Sequence, residues 1–468
     1  MIYRRIYDAA LSQASYLVGC AASREAVLVD PARDIDRYEE AAAEAGVRIV
    51  AVAETHHHAD FVSGVRAFAA TRPVQVFMSG VSDRAQWTSD GGLHADASTR
   101  FLGDGDTFEV GSLRLRARAT PGHTRESLSF ELMGRDQLTT ALLTGDFLFA
   151  GEVGRPDLGS LATRGMTVDE GVEALRTSLT LLDGMADGTT ILPGHGAGSA
   201  CGKMIAGLSE TTVGIERIIN KALRLAGDPV LFRESVLRDI PDPPPYFARV
   251  KALNEVGPAV HEGIPFPPCL SAAEFLETAA RPGCVVVDMR DWNSWVEGHL
   301  PGALFVLLDQ WFAPTVANYL DAGDEVLIVA DATTVKHAVR IMYRLGIDRF
   351  PGWISPSEFN VIDAGHLESS GCEDISPRDA RARIQQGGVG VIDVRTCQEF
   401  ADGHLDEARH IPYVQIPARI GELDPSVPLI VYCHRGNRSA RACAYLRRRG
   451  FHVTHLLGGY FPYARRGF

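Results

Sequence analysis

Short apolar runs recur along the chain, and several of them end directly before a polar cluster. In the first half of the chain such runs occupy residues 49–55, 113–119, 141–144 and 190–193. Apolar runs of about four to eight residues, bounded by polar clusters, are typical of buried strands. We therefore predict strands at these positions, with the polar clusters at their carboxyl ends.

The second half of the chain contains one pattern twice. An Asp-x-Arg triplet and a later Gly-His-Leu triplet occur in both copies. The same offset, 105 residues, separates Asp288 from Asp393 and His299 from His404. Self-similarity at a constant offset indicates two copies of one structural unit.

Each copy of this repeat begins with a helix signal. Ser271 and Ser376 precede helix-like segments, and serine is a favoured N-cap because its hydroxyl accepts a hydrogen bond from the first turn. Apolar strands follow in each copy, including 326–330 in the first and 429–432 in the second. Strands that alternate with helices indicate a parallel α/β layer in both copies, and the first half has a similar pattern.

Segments rich in proline, glycine and polar residues divide the chain. Residues 240–246 and 257–268 end the first half, and a polar break at 368–374 separates the two copies. Clusters of these residue types mark loops and linkers. We expect three α/β domains, at residues 1–260, 269–366 and 373–468.

Composition narrows the classes of partner and location. The chain has 468 residues, 46% of them hydrophobic, and a formal net charge of −13, which argues against nucleic acid or an anionic membrane as the main partner. No apolar run approaches the roughly 20 residues needed to span a bilayer, and the N-terminus lacks the apolar core of a secretion signal. Eight cysteines without a CxxC pair argue against a disulfide scaffold or zinc ribbon. We expect reduced thiols and a cytoplasmic location.

Histidine and aspartate concentrate in four polar clusters at the predicted strand ends. The clusters lie at residues 55–61, 120–124, 144–147 and 193–196. In α/β folds, ligands gather at the carboxyl ends of strands. The clusters offer imidazole and carboxylate but no suitably spaced thiolate, which favours a borderline metal with open positions over a closed structural zinc site. A single such histidine is usually a packing residue, but that interpretation does not explain four clusters.

The clusters resemble the metal motifs of the metallo-β-lactamase superfamily, whose first motif reads HxHxDH. The resemblance covers residues 1–260, and the order of the clusters also matches. It implies an αββα sandwich. The last histidine of the first motif is replaced by Phe61, and an apolar ring cannot bind a metal. We therefore expect one metal ion per chain instead of two.

Within that superfamily, the segment 144–158 looks like that of persulfide dioxygenases, which hold one iron with two histidines and one aspartate. The likeness implies one Fe(II) per chain, with zinc as a substitute, bound by His56, His123 and Asp146. Two histidines and one carboxylate form the facial set of non-haem iron oxygenases, which leaves positions for O2 and substrate. Three further side chains would orient ligands or line the site: His58, Asp60 and His195. His57 would point away, as a surface or packing residue.

Three more residues near these clusters have two interpretations each. Arg155 and Asp157 follow the third cluster, either as a surface salt bridge or turn, or as the wall of a pocket that holds a charged thiol carrier. Cys201 follows the fourth cluster in a loop of small residues, which lets backbone approach a ligand closely. It could position a persulfide or carry its sulfur, or it could be a buried structural cysteine.

A cysteine stands at the end of the predicted strand 429–432, at the start of a six-residue loop before a helix. The loop residues that follow Cys433 are His434, Arg435, Gly436, Asn437 and Arg438. Backbone N–H groups, the helix N-terminus and the two arginines would lower the pKa of the thiol and favour a nucleophilic thiolate. A Cys-based phosphatase would need a CxxxxxR loop, and the second arginine comes one position too early for it.

This loop resembles that of the rhodanese family, and the resemblance covers residues 373–468. The first copy, 269–366, is also rhodanese-like, but Asp331 stands where Cys433 stands in the second copy. A carboxylate cannot carry a sulfane sulfur. We therefore expect the first copy to be catalytically silent and to serve packing or orientation.

Three functions are open to this sequence. The first is a persulfide dioxygenase coupled to a thiosulfate sulfurtransferase, which would oxidise a low-molecular-weight thiol persulfide with O2 to sulfite or thiosulfate in sulfide detoxification. The second is a zinc thioester hydrolase of the glyoxalase II kind fused to a rhodanese, and the third is a non-enzymatic sulfur carrier. Phe61 counts against the second and the full ligand set against the third. We favour the first, in a homo-oligomer, because members of the family often associate.

Overall fold

The computed structural model describes residues 1–82, 94–95, 97–134, 138–161, 165–368 and 373–465. The chain divides into two compact units, Met1–Gly263 and Ile264–Phe468. Among the helices of the described residues, none combines the length and apolar character that a membrane crossing requires.

The first unit contains two six-stranded sheets. The strands of the first sheet, in their order across it, are β1 (Ile2–Asp8), β2 (Gln13–Cys20), β3 (Glu25–Val29), β4 (Arg48–Ala53), β5 (Gln75–Ser79) and β6 (Ser98–Leu102). The strands of the second sheet are β7 (Thr107–Val110), β8 (Leu113–Ala119), β9 (Leu128–Met133), β10 (Thr139–Gly145), β11 (Thr190–Pro193) and β12 (Thr211–Thr212), and they are adjacent in this order. The α-helices of this unit are α1 (Asp36–Glu44), α2 (Val65–Thr71), α3 (Val168–Ser178), α4 (Val213–Ile219), α5 (Lys221–Leu225), α6 (Pro229–Leu237) and α7 (Tyr246–Val256).

The two sheets face each other across an apolar core. Phe77 of the first sheet stacks on Phe108 of the second, with ring centroids 3.8 Å apart. Helices α1 and α2 pack on the outer face of the first sheet through Tyr38 and Phe68, and α3 and α6 cover the second sheet. Every residue of strand β2 is buried. Since successive side chains of a strand point to opposite sides, both faces of this strand are covered. This is the αββα sandwich that the family resemblance implies.

Strand directions in the first unit are mixed. Strands β3 to β6 are parallel, whereas β1, β2 and β3 pair antiparallel. In the second sheet only β10 and β11 pair in parallel. Strands β8 and β10 are both antiparallel to β9, so β8, β10 and β11 point the same way. Their carboxyl ends therefore lie at one edge of the sheet.

The second unit contains two further sheets, one for each copy of the repeat. The elements of the first copy are α8 (Ala272–Ala279), β13 (Cys284–Asp288), α9 (Trp292–Glu297), β14 (Leu304–Phe305), α10 (Phe312–Tyr319), β15 (Glu325–Val329), α11 (Ala332–Arg344), β16 (Gly352–Ile354) and α12 (Pro356–Phe359). Those of the second copy are β17 (Glu373–Ile375), α13 (Pro377–Gln386), β18 (Gly390–Asp393), α14 (Cys397–Ala401), β19 (Ala408–His410), α15 (Ile416–Arg419), β20 (Leu429–Tyr432), α16 (Asn437–Arg448), β21 (Val453–Leu456) and α17 (Tyr460–Arg465). Both sheets are parallel, with strand orders β14-β13-β15-β16 and β17-β21-β20-β18-β19.

The repeated triplets have the same geometry in both copies. Arg290 donates to Asp288 at 2.6 Å, and Arg395 donates to Asp393 at the same distance. Each arginine also donates, at 2.7 Å, to the carbonyl oxygen of the glycine in the Gly-His-Leu triplet. Each pair ties the end of a buried strand to the following loop, which explains why the two triplets recur together.

Candidate metal centre and candidate sulfur-transfer loop

Three of the proposed ligands converge at the carboxyl ends of β4, β8 and β10. His56, His123 and Asp146 follow these strands, and one ligand atom of each lies within 4.8 Å of the other two. Asp146 Oδ2 lies 3.4 Å from His123 Nε2 and 3.8 Å from His56 Nε2. All three side chains are buried. Two imidazoles and one carboxylate thus face a common point, as a facial metal site requires.

The second ring nitrogen of each histidine is held by the protein. His123 Nδ1 lies 3.0 Å from the carbonyl oxygen of Arg155, which accepts its proton. His56 Nδ1 lies 3.0 Å from Thr55 Oγ1, and this hydroxyl donates to Asp30 at 2.8 Å. Contacts of this kind fix the ring and its tautomer, and they leave Nε2 free for a metal ion.

Burial keeps both imidazoles in the form that binds metal. It lowers the pKa of His56 well below the usual value, and the neighbouring His58 and His123 lower it further. Burial also lowers the pKa of His123, against the opposing effect of Asp146. Both rings are therefore neutral at neutral pH, and neutral imidazole is the ligand form of histidine.

Several buried polar atoms at this site have no hydrogen-bond partner among the described residues. They include both carboxylate oxygens of Asp60 and of Asp146, and the Nε2 atom of His195. His195 Nε2 lies 3.5 Å from Asp60 Oδ2 and 3.4 Å from Asp146 Oδ1. An uncompensated buried carboxylate costs on the order of several kcal/mol, which a bound cation offsets. The residues therefore fit a metal ion.

A second buried group adjoins the first. One ligand atom from each of Asp60, His195 and Cys201 lies within 4.8 Å of the other two. Burial raises the pKa of the Cys201 thiol well above its usual value, and Asp60 and Asp146 raise it further. Cys201 is therefore a protonated thiol beside the candidate metal centre, which is the location that its small-residue loop suggests.

Phe61 fills the place of the last histidine of the metal motif. Its ring is fully buried and packs against His58, with ring centroids 4.2 Å apart. His58 Nε2 in turn lies 3.3 Å from Asp30 Oδ1. Burial by itself would lower the pKa of His58, but the Asp30 carboxylate raises it to about 9. His58 is thus paired with Asp30, and Phe61 supplies an apolar wall.

Arg155 is a buried anchor of the loop that follows β10. Its Nε and Nη2 atoms donate to the two carboxylate oxygens of Asp157, at 2.8 and 2.7 Å. Its Nη1 and Nη2 atoms donate to the carbonyl oxygens of Ala200 and Pro241, at 3.1 and 2.6 Å. This geometry favours the salt-bridge interpretation over a charged pocket wall, although Arg155 itself is buried and Asp157 is half-buried.

Helix α7 supports the metal-motif loop, residues 54–64 between β4 and α2, through two side chains that no sequence motif marks. Asn254 Nδ2 donates to the carbonyl oxygens of His58 and Phe61, at 2.7 and 2.8 Å, and its Oδ1 accepts from Ser63 N at 2.9 Å. Lys251 Nζ donates to the carbonyl oxygen of His57 at 3.2 Å. No motif marks either residue, because nearly 200 positions separate them from the loop. His57 itself is buried and is a packing residue.

Cys433 follows β20 and lies buried at the start of the predicted loop. Gly436 N donates to Cys433 Sγ at 3.1 Å, and the hydroxyl of Ser439 donates at 3.3 Å. Gly436 has φ +107°, a conformation that other residues rarely adopt, and this turn directs its N–H at the sulfur. Helix α16 begins at Asn437, so Ser439 lies in its first turn. No sequence motif marks this hydroxyl as a donor to the sulfur.

The charged residues of the loop do not all face the sulfur. Arg438 donates two hydrogen bonds to Glu399, at 2.6 and 2.7 Å. Burial by itself would raise the pKa of Glu399, but Arg438 and the Thr396 cap lower it to about 2. Arg435 and Asn437 are exposed, and His434 is half-buried. The positive charge of Arg438 is thus shared with a carboxylate as well as with the loop.

In the first copy of the repeat, Asp331 caps a helix of its own copy, and other side chains contact helix α16 of the second copy. Asp331, in the position that corresponds to Cys433, accepts hydrogen bonds from two backbone N–H groups of the first turn of α11, both at 3.0 Å. Asp309 accepts from Arg441 of α16 at 2.7 Å, and the Trp311 ring lies 4.9 Å from the guanidinium carbon of the loop's second arginine. These contacts allow the first copy to pack against helix α16 and to orient it.

Two family models match the chain. Residues 9–201 match the metallo-beta-lactamase superfamily, and residues 376–466 match the rhodanese-like domain. Together with the αββα sandwich, its buried His/Asp group and the Cys433 loop, these matches define a fusion of two classes. The chain belongs to the metallo-beta-lactamase superfamily and carries a C-terminal rhodanese-like domain, as the resemblance implied.

Known proteins are similar to both parts. The crystal structure of a metallo-beta-lactamase from Staphylococcus aureus subsp. aureus COL is 32% identical with a TM-score of 0.66, and the match covers 76% of this chain and 99% of that one. Thiosulfate sulfurtransferase GlpE from Pseudomonas aeruginosa (strain LESB58) is 38% identical over 87 residues, which is 19% of this chain and 78% of GlpE. The structure of ETHE1 from Myxococcus xanthus is 27% identical with a TM-score of 0.44, over 55% of this chain and 99% of that one.

Proposed function

We propose that the chain is a mononuclear Fe(II) persulfide dioxygenase coupled to a thiosulfate sulfurtransferase. The observation that carries this proposal is the buried group of His56, His123 and Asp146, with its unpaired carboxylate oxygens, in one chain with the Cys433 loop. Iron bound there would supply the redox chemistry that couples O2 to sulfur. The overall change is R–S–SH + O2 + H2O → R–SH + H2SO3, so the terminal sulfur leaves as sulfite and the thiol carrier is released.

The protein's own residues would bind and orient the persulfide. His123 and His56 are held through their Nδ1 atoms, so their Nε2 atoms face one point without adjustment. Cys201 lies beside that point as a neutral thiol, where it would position the persulfide or carry its sulfur. Phe61 excludes water from one side of the site. The carrier is a low-molecular-weight thiol, and its charged part would lie outside this buried centre.

The Cys433 loop would transfer sulfane sulfur. The Cys433 thiolate attacks the outer sulfur of thiosulfate, the S–S bond breaks and sulfite leaves, and a cysteine persulfide remains. An acceptor thiol then takes this sulfur and restores the thiolate. In the opposite direction, sulfite accepts the sulfur and thiosulfate forms. The similarity of the C-terminal part to thiosulfate sulfurtransferases supports this assignment.

Oxygen uptake by the protein reconstituted anaerobically with Fe(II) tests the proposal. We expect persulfide-dependent O2 consumption with release of sulfite, and we expect His123→Ala to abolish it.

Cys433→Ser should abolish sulfur transfer from thiosulfate to a thiol but leave O2 consumption intact, since it changes only the second site. A protein that holds iron but consumes no O2 with any of several persulfides would overturn the dioxygenase assignment. Unchanged sulfur transfer in Cys433→Ser would overturn the sulfurtransferase assignment.

One observation favours a second candidate function, a zinc thioester hydrolase of the glyoxalase II kind fused to a sulfurtransferase. Hydrolases of that kind normally use two metals, and Asp60, His195 and Cys201 offer a second group of ligand atoms within 4.8 Å. Metal analysis separates the two candidates. Two zinc ions per chain with thioester cleavage and no O2 uptake would establish the hydrolase.

We further propose that the chain acts in the cytoplasm as a homo-oligomer, with neither nucleic acid nor membrane as a partner. The net charge of −13 supports the exclusion of polyanionic partners. Sedimentation of the purified protein and fractionation of cells that produce it test these two expectations.

A further inference from the structure

A line of polar side chains leads away from the Cys433 sulfur through the second copy of the repeat. The hydroxyl of Ser439, which donates to Cys433 Sγ, also lies 3.0 Å from His455 Nε2. His455 lies on β21 and is buried. Its Nδ1 atom lies 2.8 Å from Asp374 Oδ1 on β17. Cysteine, serine, histidine and aspartate therefore form one continuous chain of hydrogen-bonding groups.

The first copy supplies the last member of this chain. Trp292, on α9, donates from its indole Nε1 to the Asp374 carboxylate, 3.2 Å from Oδ2. The Trp292 ring also packs edge-on against the His455 ring, with centroids 5.2 Å apart. The two copies thus meet at the aspartate and the histidine, not only at the arginines of α16.

The neighbours of His455 decide where its protons lie. An ionised carboxylate only accepts hydrogen bonds, so the Nδ1 atom beside Asp374 carries a proton. The Nε2 atom faces Ser439 Oγ at 3.0 Å and the carbonyl oxygen of Gly436 at 3.1 Å. A carbonyl oxygen also only accepts, so this geometry favours a proton on Nε2 as well.

The role of His455 Nε2 as donor or acceptor sets the direction of the Ser439 hydroxyl. When Nε2 carries a proton, Ser439 Oγ accepts from it, and the Ser439 proton faces two acceptors, the Cys433 sulfur at 3.3 Å and the carbonyl oxygen of Gly436 at 3.0 Å. When Nε2 has no proton, its lone pair attracts the Ser439 hydroxyl proton, and the sulfur loses that donor. A donor on the sulfur stabilises the thiolate relative to the thiol.

We propose that Asp374, His455 and Ser439 form a positioning relay that directs a hydroxyl proton at the Cys433 sulfur, and that Trp292 of the silent copy holds the relay in place. This inference rests on the proposed role of Cys433 in sulfur transfer. It assigns the silent copy a direct part in activation of the cysteine in the other copy. None of the three relay residues touches the transferred sulfur in this scheme, so they are positioning residues and not nucleophiles.

The electrostatics of the relay agree with this assignment. Burial by itself would raise the pKa of Asp374, but the hydrogen bonds from His455 and Trp292 hold it below its usual value, so the carboxylate is ionised at neutral pH. Within the described residues, the titratable groups that face His455 are Asp374 on β17 and, beyond the serine, Cys433 at the end of β20. Arg438 adds a further positive charge near the sulfur.

The pH dependence of Cys433 alkylation tests the relay. The full chain, freed of persulfide by a reducing agent, is treated with iodoacetamide over a range of pH, and mass spectrometry follows the peptide that contains Cys433. Loss of one charge-assisted donor to the thiolate moves the midpoint of the alkylation profile to higher pH, by roughly one to two pH units. We expect this shift for Ser439→Ala, His455→Gln and Asp374→Asn, and a smaller shift in the same direction for Trp292→Phe.

A matched control variant and the sulfur-transfer assay separate failure of the relay from failure of the proposed function. His452→Gln changes an exposed histidine three positions before His455 and should leave the profile unchanged. A wild-type profile in Ser439→Ala and Asp374→Asn overturns the relay, even where His455→Gln fails to fold. If Cys433→Ser transfers sulfur normally, the proposed function of the loop fails instead, so the two failures are distinguishable. Equal shifts in the control and the relay variants would also overturn the relay, because they would indicate a general change in packing.

Discussion

Replacement of Asn254 by alanine should weaken metal binding without changing any proposed ligand. Asn254 is buried and makes three hydrogen bonds to the backbone of the metal-motif loop, at 2.7, 2.8 and 2.9 Å. Each such bond contributes about 1 kcal/mol, so Asn254→Ala should cost about 3 kcal/mol of stability in the first unit. The loop carries His56, so its loosening should also reduce metal affinity, by roughly 10- to 100-fold.

Asn220→Ala provides a matched control in the same unit. Asn220 is also fully buried, and its side chain contacts Glu216 and caps α5 through Leu223 N, not the metal-motif loop. We expect both variants to unfold at lower temperature in the metal-free protein, measured by calorimetry. Only Asn254→Ala should release iron more readily to a chelator in a competition titration. Wild-type metal affinity in a folded Asn254→Ala protein would refute the argument that α7 holds the ligand loop in place.

Three further predictions concern single carboxylates. Asp146→Asn should lower bound metal to a small fraction of one equivalent by elemental analysis, because it removes the charge that both histidines face. Glu399 has a folded pKa of about 2 against a usual 4.5, so its contribution to stability is present above pH 4.5 and is lost as pH falls towards 2. Acid unfolding of Glu399→Gln should therefore depend less on pH in that window. An unfolding curve identical to that of the wild type would contradict the ion pair with Arg438. Asp331→Ala should destabilise the second unit by about 1 kcal/mol, because it removes a helix cap, and should leave sulfur transfer at the wild-type rate. A loss of sulfur transfer would contradict the prediction that the first copy is catalytically silent.

Local pattern was sufficient to predict the strand ends and the residues attached to them. The strand predicted at residues 113–119 is β8 without change, and those at 190–193 and 429–432 are β11 and β20. The caps at Ser271 and Ser376 are also present as predicted. These features depend on side chains within a few positions of one another, so the sequence contains all the information that they need.

Tertiary structure decided what surrounds those residues. Asn254 reaches the metal-motif loop from nearly 200 positions away, and His455 meets Asp374 from 81 positions away. The sequence leaves two interpretations of Arg155 open, and the structure favours one because its guanidinium donates to Asp157 and to two backbone carbonyl oxygens. Such contacts depend on which helix or strand packs beside which loop, and no local pattern records that.

The sequence by itself therefore determined the chemistry that is available: the histidines and aspartates at four strand ends, and one cysteine in a loop before a helix. The packing of α7, β17 and β21 decided how these groups are oriented and which charged groups lie beside them. The physical reason is that ligand identity is a property of single residues, whereas orientation and protonation depend on the three-dimensional arrangement of all neighbours within a few ångströms.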